Sequence, residues 1–260
     1  MLELKDQINH LIKLNHQPKK IISVVPSQTE LLFDLGLDDE VVGITKFCIH
    51  PNQWFKTKTR VGGTKTLKFD KIKSLNPDLI IANKEENTQA EIEFLQQHYN
   101  VYTSDIKTLD DAYKMMSDIG KMTGKVVESE MIINQIKANF KYLPQFNKKI
   151  LYLIWKQPYM AAGQFTFINH LLSKIGLINV VNDEKSRYVE LSVEQIKQLN
   201  PDFIFLSSEP YPFKDKHIKE LKKISNAQPI LVDGEIFSWY GSRLKYFKHY
   251  INNELVPLLF

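Results

Sequence analysis

The chain has 260 residues, 34 basic and 30 acidic side chains, a net charge of +4, and 43% hydrophobic against 25% charged residues. That balance belongs to a folded globular protein of one large or two ordinary domains, and it excludes a disordered chain and a strongly basic nucleic-acid binder. The single cysteine, Cys48, excludes an internal disulfide, and no apolar run reaches the ~18–20 residues that span a bilayer.

The first eighteen residues read as an amphipathic helix or a strand arm. They hold no apolar signal-peptide core and no lipoprotein cysteine, so the sequence as written reads as cytoplasmic; removal of a leader would make it periplasmic. Ile21–Val25 is a short β-branched run, as a buried parallel strand requires. Pro26-Ser27 breaks it, and Ser27 with Glu30 fits a capping box for a helix over Thr29–Leu35 that Gly36 ends. Strands at Val41–Ile44, Leu79–Ala82 and Val101-Tyr102 alternate with helices at Phe69–Leu75 and Thr88–His98. From Thr108 to Leu143 apolar residues recur at helical spacing without proline, although Gly120 and Gly124 weaken the pattern. A second series follows: strand Ile150–Ile154, helix Phe167–Ile175 closed by Gly176, strand Val180-Val181, helix Val193–Leu199, strand Phe203–Leu206, strand Ile230–Val232 and helix Leu244–Leu255.

The two series share a repeat. FDKIKSLNPDLII from Phe69 matches VEQIKQLNPDFIF from Val193 at seven of thirteen positions, at a constant offset of 124 residues. Each copy is a short helix, a break at Asn-Pro-Asp and a buried strand, at the same place in its series. Repetition in the same order predicts two related lobes, and right-handed crossovers make each a parallel sheet flanked by helices. The predicted class is therefore α/β: two Rossmann-like lobes with parallel sheets, joined by one long backbone helix, with a ligand cleft between them. The predicted boundaries are 1–107 for the amino-terminal lobe, 108–143 for the connecting helix and 144–260 for the carboxy-terminal lobe.

Val25-Pro26-Ser27-Gln28-Thr29-Glu30-Leu31, the Asn-Pro-Asp pair and Ser238-Trp239-Tyr240-Gly241-Ser242 carry a resemblance. From about Lys20 to Leu255 the chain resembles the periplasmic-binding proteins with a helical backbone, which deliver vitamin B12, haem and ferric siderophores to ABC importers. Its first and last motifs are most similar to the vitamin B12-binding branch. The resemblance implies capture of a small metal chelate (cobalamin, haem or a ferric siderophore) as cargo rather than as an intrinsic cofactor, and an ABC permease as partner. It also matches Trp239 to an aromatic that packs on the ligand. B12-binding relatives dock their permease through a surface glutamate on each lobe; the matching places here hold Gln89, with Glu91 nearby, and Gly241.

In open α/β sheets ligands bind beyond the carboxyl ends of the strands. That rule selects Phe47, Cys48 and His50 after Ile44; Gly63 and Thr64 in a glycine turn; Trp155 and Tyr159 after Ile154; Ser208 and Tyr211 after Leu206; and Trp239 and Tyr240 after Val232. Aromatic side chains suit a large flat macrocycle. Cys48 and His50, two positions apart, read either as metal ligands or as a buried thiol and a surface histidine. The motifs GxSxG, HExxH, CxxC and GxGxxG are all missing, so the chain reads as a binding protein. The alternative is a cytoplasmic, chelatase-like corrinoid- or metal-processing enzyme on the same scaffold, with His50 and Glu85, Glu86 or Glu209 as its cluster.

Overall fold

The amino-terminal arm is a strand pair in the computed structural model, which describes residues 1–183 and 186–259. β1 (Leu2–Lys5) and β2 (Leu11–Leu14) run antiparallel, with Leu2 opposite Leu14 and Lys5 opposite Leu11. Asp6 closes the turn. One of its carboxylate oxygens accepts from the N–H groups of Ile8 and His10 and the other from that of Thr103, at 2.8–3.0 Å. Burial raises the Asp6 pKa, although these N–H bonds pull the other way.

The chain divides into two compact units. The first comprises Met1–Ile106, Asp110–Ile136 and Tyr240–Arg243; the second comprises Lys107–Leu109, Lys137–Trp239 and the residues from Leu244 on.

The sheet of the first unit contains β3 (Ile21–Ser23), β4 (Val41–Ile44), β5 (Thr59–Arg60), β8 (Leu79–Asn83) and β9 (Val101–Ser104), in the order β5-β4-β3-β8-β9. Every pairing is parallel. The order is that of a doubly wound sheet whose direction of winding reverses between β3 and β8. Between β5 and β8 lie the short hairpin of β6 (Gly62–Gly63) with β7 (Thr66–Leu67) and helix α3 (Phe69–Leu75). The remaining helices here are α1 (Pro26–Asp34), α2 (Asn52–Thr57) and α4 (Gln89–Gln96). All five residues of β8 are buried, as a parallel strand covered on both faces should be.

Helix α1 starts earlier than predicted. Pro26 takes the first turn, where its missing N–H costs nothing, and Val25 precedes it without a side-chain cap. Ser27 thus lies inside the helix rather than capping it.

Where the sequence predicts one helix over 108–143, the chain forms α5 (Leu109–Thr123) and α6 (Val126–Asn139). Gly124 separates them at φ +71°, a left-handed backbone that a helix interior cannot hold. The helices then approach closely: a Cβ on Gly120 would collide with the Ser129 side chain. The boundary between the units falls inside α6, after Ile136.

The second unit departs from an all-parallel sheet. β10 (Lys149–Trp155) pairs in parallel with β12 (Ile178–Asn179) and β14 (Phe203–Ser207), and β14 with β15 (Gln228–Val232). On the other edge β11 (Tyr159–Ala162) and β13 (Tyr188–Leu191) add two antiparallel strands. The predicted strand at Val180-Val181 lies two residues earlier, at β12. Helices α7 (Phe167–Lys174), α8 (Val193–Leu199), α9 (Asp215–Leu221) and α10 (Gly234–Ser238) complete the α/β part. The carboxy-terminal segment is helical from Ser242 to Leu259, including α11 (Phe247–Tyr250) and α12 (Val256–Leu259).

The repeat is visible as geometry. Asn76 ends α3 at φ +45° and Asn200 ends α8 at φ +42°, both left-handed, a conformation asparagine tolerates better than most residues. The aspartate two residues on then pins the start of the unit's central strand. Asp78 accepts from the N–H groups of Lys19 and Lys20 at 2.8 and 3.0 Å, and Asp202 from that of Lys149 at 2.7 Å. Each aspartate's own N–H returns a bond, to Lys20 O at 2.8 Å and Lys149 O at 2.9 Å. The shared residues therefore carry out one task twice: they end a helix and set the register of two parallel strands.

Candidate functional site

In the first unit the switch between β3 and β8 is lined by amides and hydroxyls. Asn83, at the end of β8, donates through its side chain to Ser104 O and Oγ at 3.1 and 2.9 Å, and its own side-chain oxygen accepts from the N–H groups of Glu85 and Glu86. Asn87 accepts from Asn83 N–H at 2.8 Å and donates to Val24 O and Thr64 O at 3.2 and 2.8 Å. Gln28, in the first turn of α1, donates to Ser104 Oγ at 2.6 Å; its side-chain oxygen is buried with no hydrogen-bond partner among the described residues. This network fixes the loop after β8, so Glu85 and Glu86 are held by their backbone on Asn83. The sequence-based reading did not assemble this network, because Gln28, known there only as part of the Val25–Leu31 motif, is far in sequence from Asn83, Asn87 and Ser104 until the sheet collects them.

The loop after β4 separates its three candidates. Phe47 is 51% exposed, with Lys46 Nζ 5.0 Å from its ring centre. Cys48 is fully buried, its sulfur 3.1 Å from both Thr29 Oγ1 and Thr45 Oγ1, and burial raises its pKa. Cys48 thus fits the reading of a small buried thiol, held in the core between Thr29 and Thr45. His50 is half-buried. Among the described residues no group of three or more His, Cys, Asp or Glu side chains is placed to hold a metal ion.

Gly63 and Thr64 belong to the β6–β7 hairpin. Gly62, at φ +118°, has room for no side chain against the Thr66 carbonyl, and a Cβ on Gly63 would lie 2.8 Å from Thr66 Oγ1. Folding the hairpin is thus enough to require the glycine pair. Thr64 is half-buried and gives its carbonyl to Asn87.

In the second unit the ends of β10 and β14 deliver an aromatic cluster. Trp155, 41% exposed, meets the edge of Tyr211 with centroids 5.6 Å apart. Tyr211 lies edge-on to Phe213 at 4.8 Å and to His217 at 5.5 Å. His217 accepts from Lys214 N–H through Nδ1 at 2.9 Å, which places its proton on Nε2, 3.3 Å from the Tyr211 hydroxyl. Burial lowers the His217 pKa, as does the charge of Lys156, which pairs with Glu220. Tyr159 begins β11 beside this cluster and packs on the core under it. The cluster presents one exposed indole on a buttress of rings, the kind of platform that a flat ligand stacks on.

Trp239 does not form part of that exposed surface. It is 6% exposed, and its indole N–H donates to Glu209 Oε1 at 2.8 Å, as does Ser238 Oγ at 2.7 Å. Burial raises the Glu209 pKa, and Glu235 and Asp233 add to the rise. Tyr240 is also 6% exposed and falls in the first unit. Ser208 is exposed, but its hydroxyl accepts from Gly234 N–H at 2.9 Å. Sequence reasoning missed His217 and the anchoring role of Glu209, since neither lies in a recognisable motif.

Each unit is an α/β fold whose parallel strands wind outward in both directions from a central strand, β3 in the first and β10 in the second. The chain belongs to the periplasmic binding protein family, whose pattern matches residues 21–227. It is 27% identical over 215 residues to an uncharacterised ABC transporter substrate-binding lipoprotein of Bacillus subtilis, covering 77% of this chain and 67% of that protein. It is 26% identical over 195 residues to the vitamin B12-binding protein of Vibrio cholerae, covering 73% and 70%. Among solved structures, a periplasmic haem-binding protein of Pseudomonas aeruginosa superposes with a TM-score of 0.74 at 20% identity, over 92% of this chain and 93% of that one, a likeness of fold. The family is one of solute-binding proteins, not enzymes, and the chelatase-like alternative falls with that finding. Among the described residues no helix is long and apolar enough to cross a membrane.

Proposed function

We propose that this chain is the solute-capturing component of an ABC importer, working at the cell envelope, with a metal-containing chelate of the corrinoid, haem or ferric-siderophore kind as its cargo. One observation carries the reading: the family resides on this scaffold, and this chain adds an exposed indole, Trp155, buttressed by Tyr211 at the carboxyl ends of its strands. Phe47, exposed after β4, and the half-buried His50 are the corresponding candidates on the first unit. Affinity would come from aromatic contact with the macrocycle or chelate and from a few placed polar groups. The relatives named for vitamin B12 and for ABC transport support both the cargo class and the permease as partner.

The test is direct. Purified protein is mixed separately with cobalamin, haem and a ferric hydroxamate, and absorbance and melting temperature are followed. Saturable binding of one class, weakened by Trp155→Ala, is expected. Silence toward all three classes would overturn the reading.

A further inference from the structure

The second unit carries a basic face at the amino ends of its strands, the end of the sheet opposite Trp155. β10 runs from Lys149 to Trp155, so the two ends lie about 20 Å apart at roughly 3.3 Å per residue. Three segments meet at this face. Residues 137–149 close α6 and lead into β10. On one flank Asn139 Nδ2 donates to Lys245 O at 2.6 Å, Lys248 Nζ donates to Lys141 O at 3.3 Å, and the Phe140 and Phe247 rings stack 4.7 Å apart. On the other, Phe146 N–H donates to Ile175 O at 3.0 Å and Ile178 N–H to Lys148 O at 2.8 Å.

The composition here is one-sided. Residues 137–149 and 244–253 hold six lysines (Lys137, Lys141, Lys148, Lys149, Lys245 and Lys248) and no aspartate or glutamate, although the whole chain has 30 acidic residues in 260. Lys174 adjoins them, its carbonyl accepting from Gln145 Nε2 at 3.0 Å. Asp202 adjoins the face as well, and its Oδ2 accepts from Lys149 N–H at 2.7 Å. Apolar groups stand out among these charges. Tyr142, at φ +55°, is 94% exposed, and Tyr246 and Ile178 are each 54% exposed. The Tyr142 loop is anchored in the core by Leu143 and Phe146, both buried. Lys245 Nζ lies 5.8 Å from the centre of the Tyr246 ring.

Clustered lysines without carboxylates call for an anionic partner. Protruding tyrosines add a condition that a dissolved polyanion does not meet. Such a ring gains most where headgroups meet acyl chains, with its body in an apolar layer and its hydroxyl in a wet one. Lysine stems lie along the same boundary and place their ammonium groups on the headgroup phosphates.

We propose that this face is a peripheral membrane-docking surface and that its partner is an anionic lipid bilayer. The proposal does not rest on the chelate-binding reading. Docked this way, the second unit keeps the carboxyl end of its sheet, with Trp155, away from the lipid.

Cosedimentation of the full chain with vesicles tests this, using phosphatidylglycerol and phosphatidylcholine in equal parts against phosphatidylcholine alone, at about 0.1 M salt. The anionic vesicles should bind the protein and the neutral ones should not. Each lysine near an anionic surface multiplies partitioning by about fivefold, so K137Q/K141Q/K149Q, all at exposed positions, should weaken binding at least about tenfold. K214Q/K216Q/K219Q, an equal charge change at exposed positions of the same unit, should leave binding unchanged. Tyr142→Asn keeps a residue that tolerates the left-handed backbone and should weaken vesicle binding severalfold, while leaving binding to soluble polyphosphate as it was. Tyr246→Ser gives a second aromatic test, and unchanged melting temperatures show that each variant folds. No binding to anionic vesicles, or equal losses from the two triple variants, overturns the proposal. So does vesicle binding that ignores both tyrosine variants, which would make the face a site for a soluble polyanion instead.

Discussion

The Asn-Pro-Asp repeat makes a quantitative claim about its two aspartates. Asp78 holds two N–H groups, those of Lys19 and Lys20, whereas Asp202 holds one, that of Lys149. A hydrogen bond to a charged acceptor contributes about 1.5–3 kcal/mol, and an exposed site brings each bond down to about 1 kcal/mol. Asp78→Ala should therefore cost the first unit about 2 kcal/mol and Asp202→Ala the second unit about 1 kcal/mol. Because two units need not unfold together, a single midpoint is a poor readout. Hydrogen exchange resolved by segment is a better one. Asp78→Ala should speed exchange at Lys19 and Lys20 by roughly thirtyfold, at a factor of ten per 1.4 kcal/mol, and Asp202→Ala should speed it at Lys149 by less than tenfold. Equal effects, or acceleration spread over both units from either substitution, would refute the idea that each aspartate pins its own central strand.

Three further outcomes follow from the site. Glu209 has a raised pKa, so the folded protein takes up a proton that the unfolded chain releases, and its stability contribution falls as pH rises through that window. Glu209→Gln keeps an oxygen for Ser238 and Trp239 and should be more stable than wild type at pH 7 by up to about 1 kcal/mol, with the gap closing below the ordinary glutamate pKa; denaturant titrations at the two pH values check it. His217 has a lowered pKa, so the bond from Lys214 N–H is intact above pH 6.5 and lost as pH falls through the lower folded value. Wild type should lose stability relative to His217→Gln over that acid range, read by tryptophan fluorescence, and parallel pH profiles would remove the role given to Nδ1. Cys48→Ser should leave any chelate spectrum unchanged, since the thiol is fully buried between Thr29 and Thr45; a shifted metal-ligand band would return Cys48 to the site.

Strands were legible wherever they were buried on both faces. Leu79–Ala82 and Phe203–Leu206 stand out as apolar runs, and the structure buries them entirely. The Asn-Pro-Asp pair was legible because proline, asparagine and aspartate each have a distinct backbone chemistry. The amino-terminal hairpin was not, because its turn depends on Asp6 reaching Thr103, a contact 97 residues distant. The antiparallel edge of the second sheet was hidden for a related reason: β11 and β13 are half-buried and carry no uniform apolar run. Periodicity read straight through Gly124, which only a left-handed φ reveals as a helix end. The aromatic loops after β10 and β14 were legible as aromatic clusters, but burial decides which rings are exposed. Trp155 is exposed and Trp239 is not, and no local feature distinguishes the two.

Capture of a metal chelate is tested most directly by one titration. Wild type and Trp155→Ala are titrated in parallel with cobalamin, haem and a ferric siderophore. One class should bind wild type saturably and raise its melting temperature, by about 2.7 kcal/mol of added stability at a hundredfold excess over the dissociation constant. Trp155→Ala should fold normally and bind that class about tenfold more weakly, the value of one aromatic contact. No spectral or thermal response to any of the three would contradict the claim.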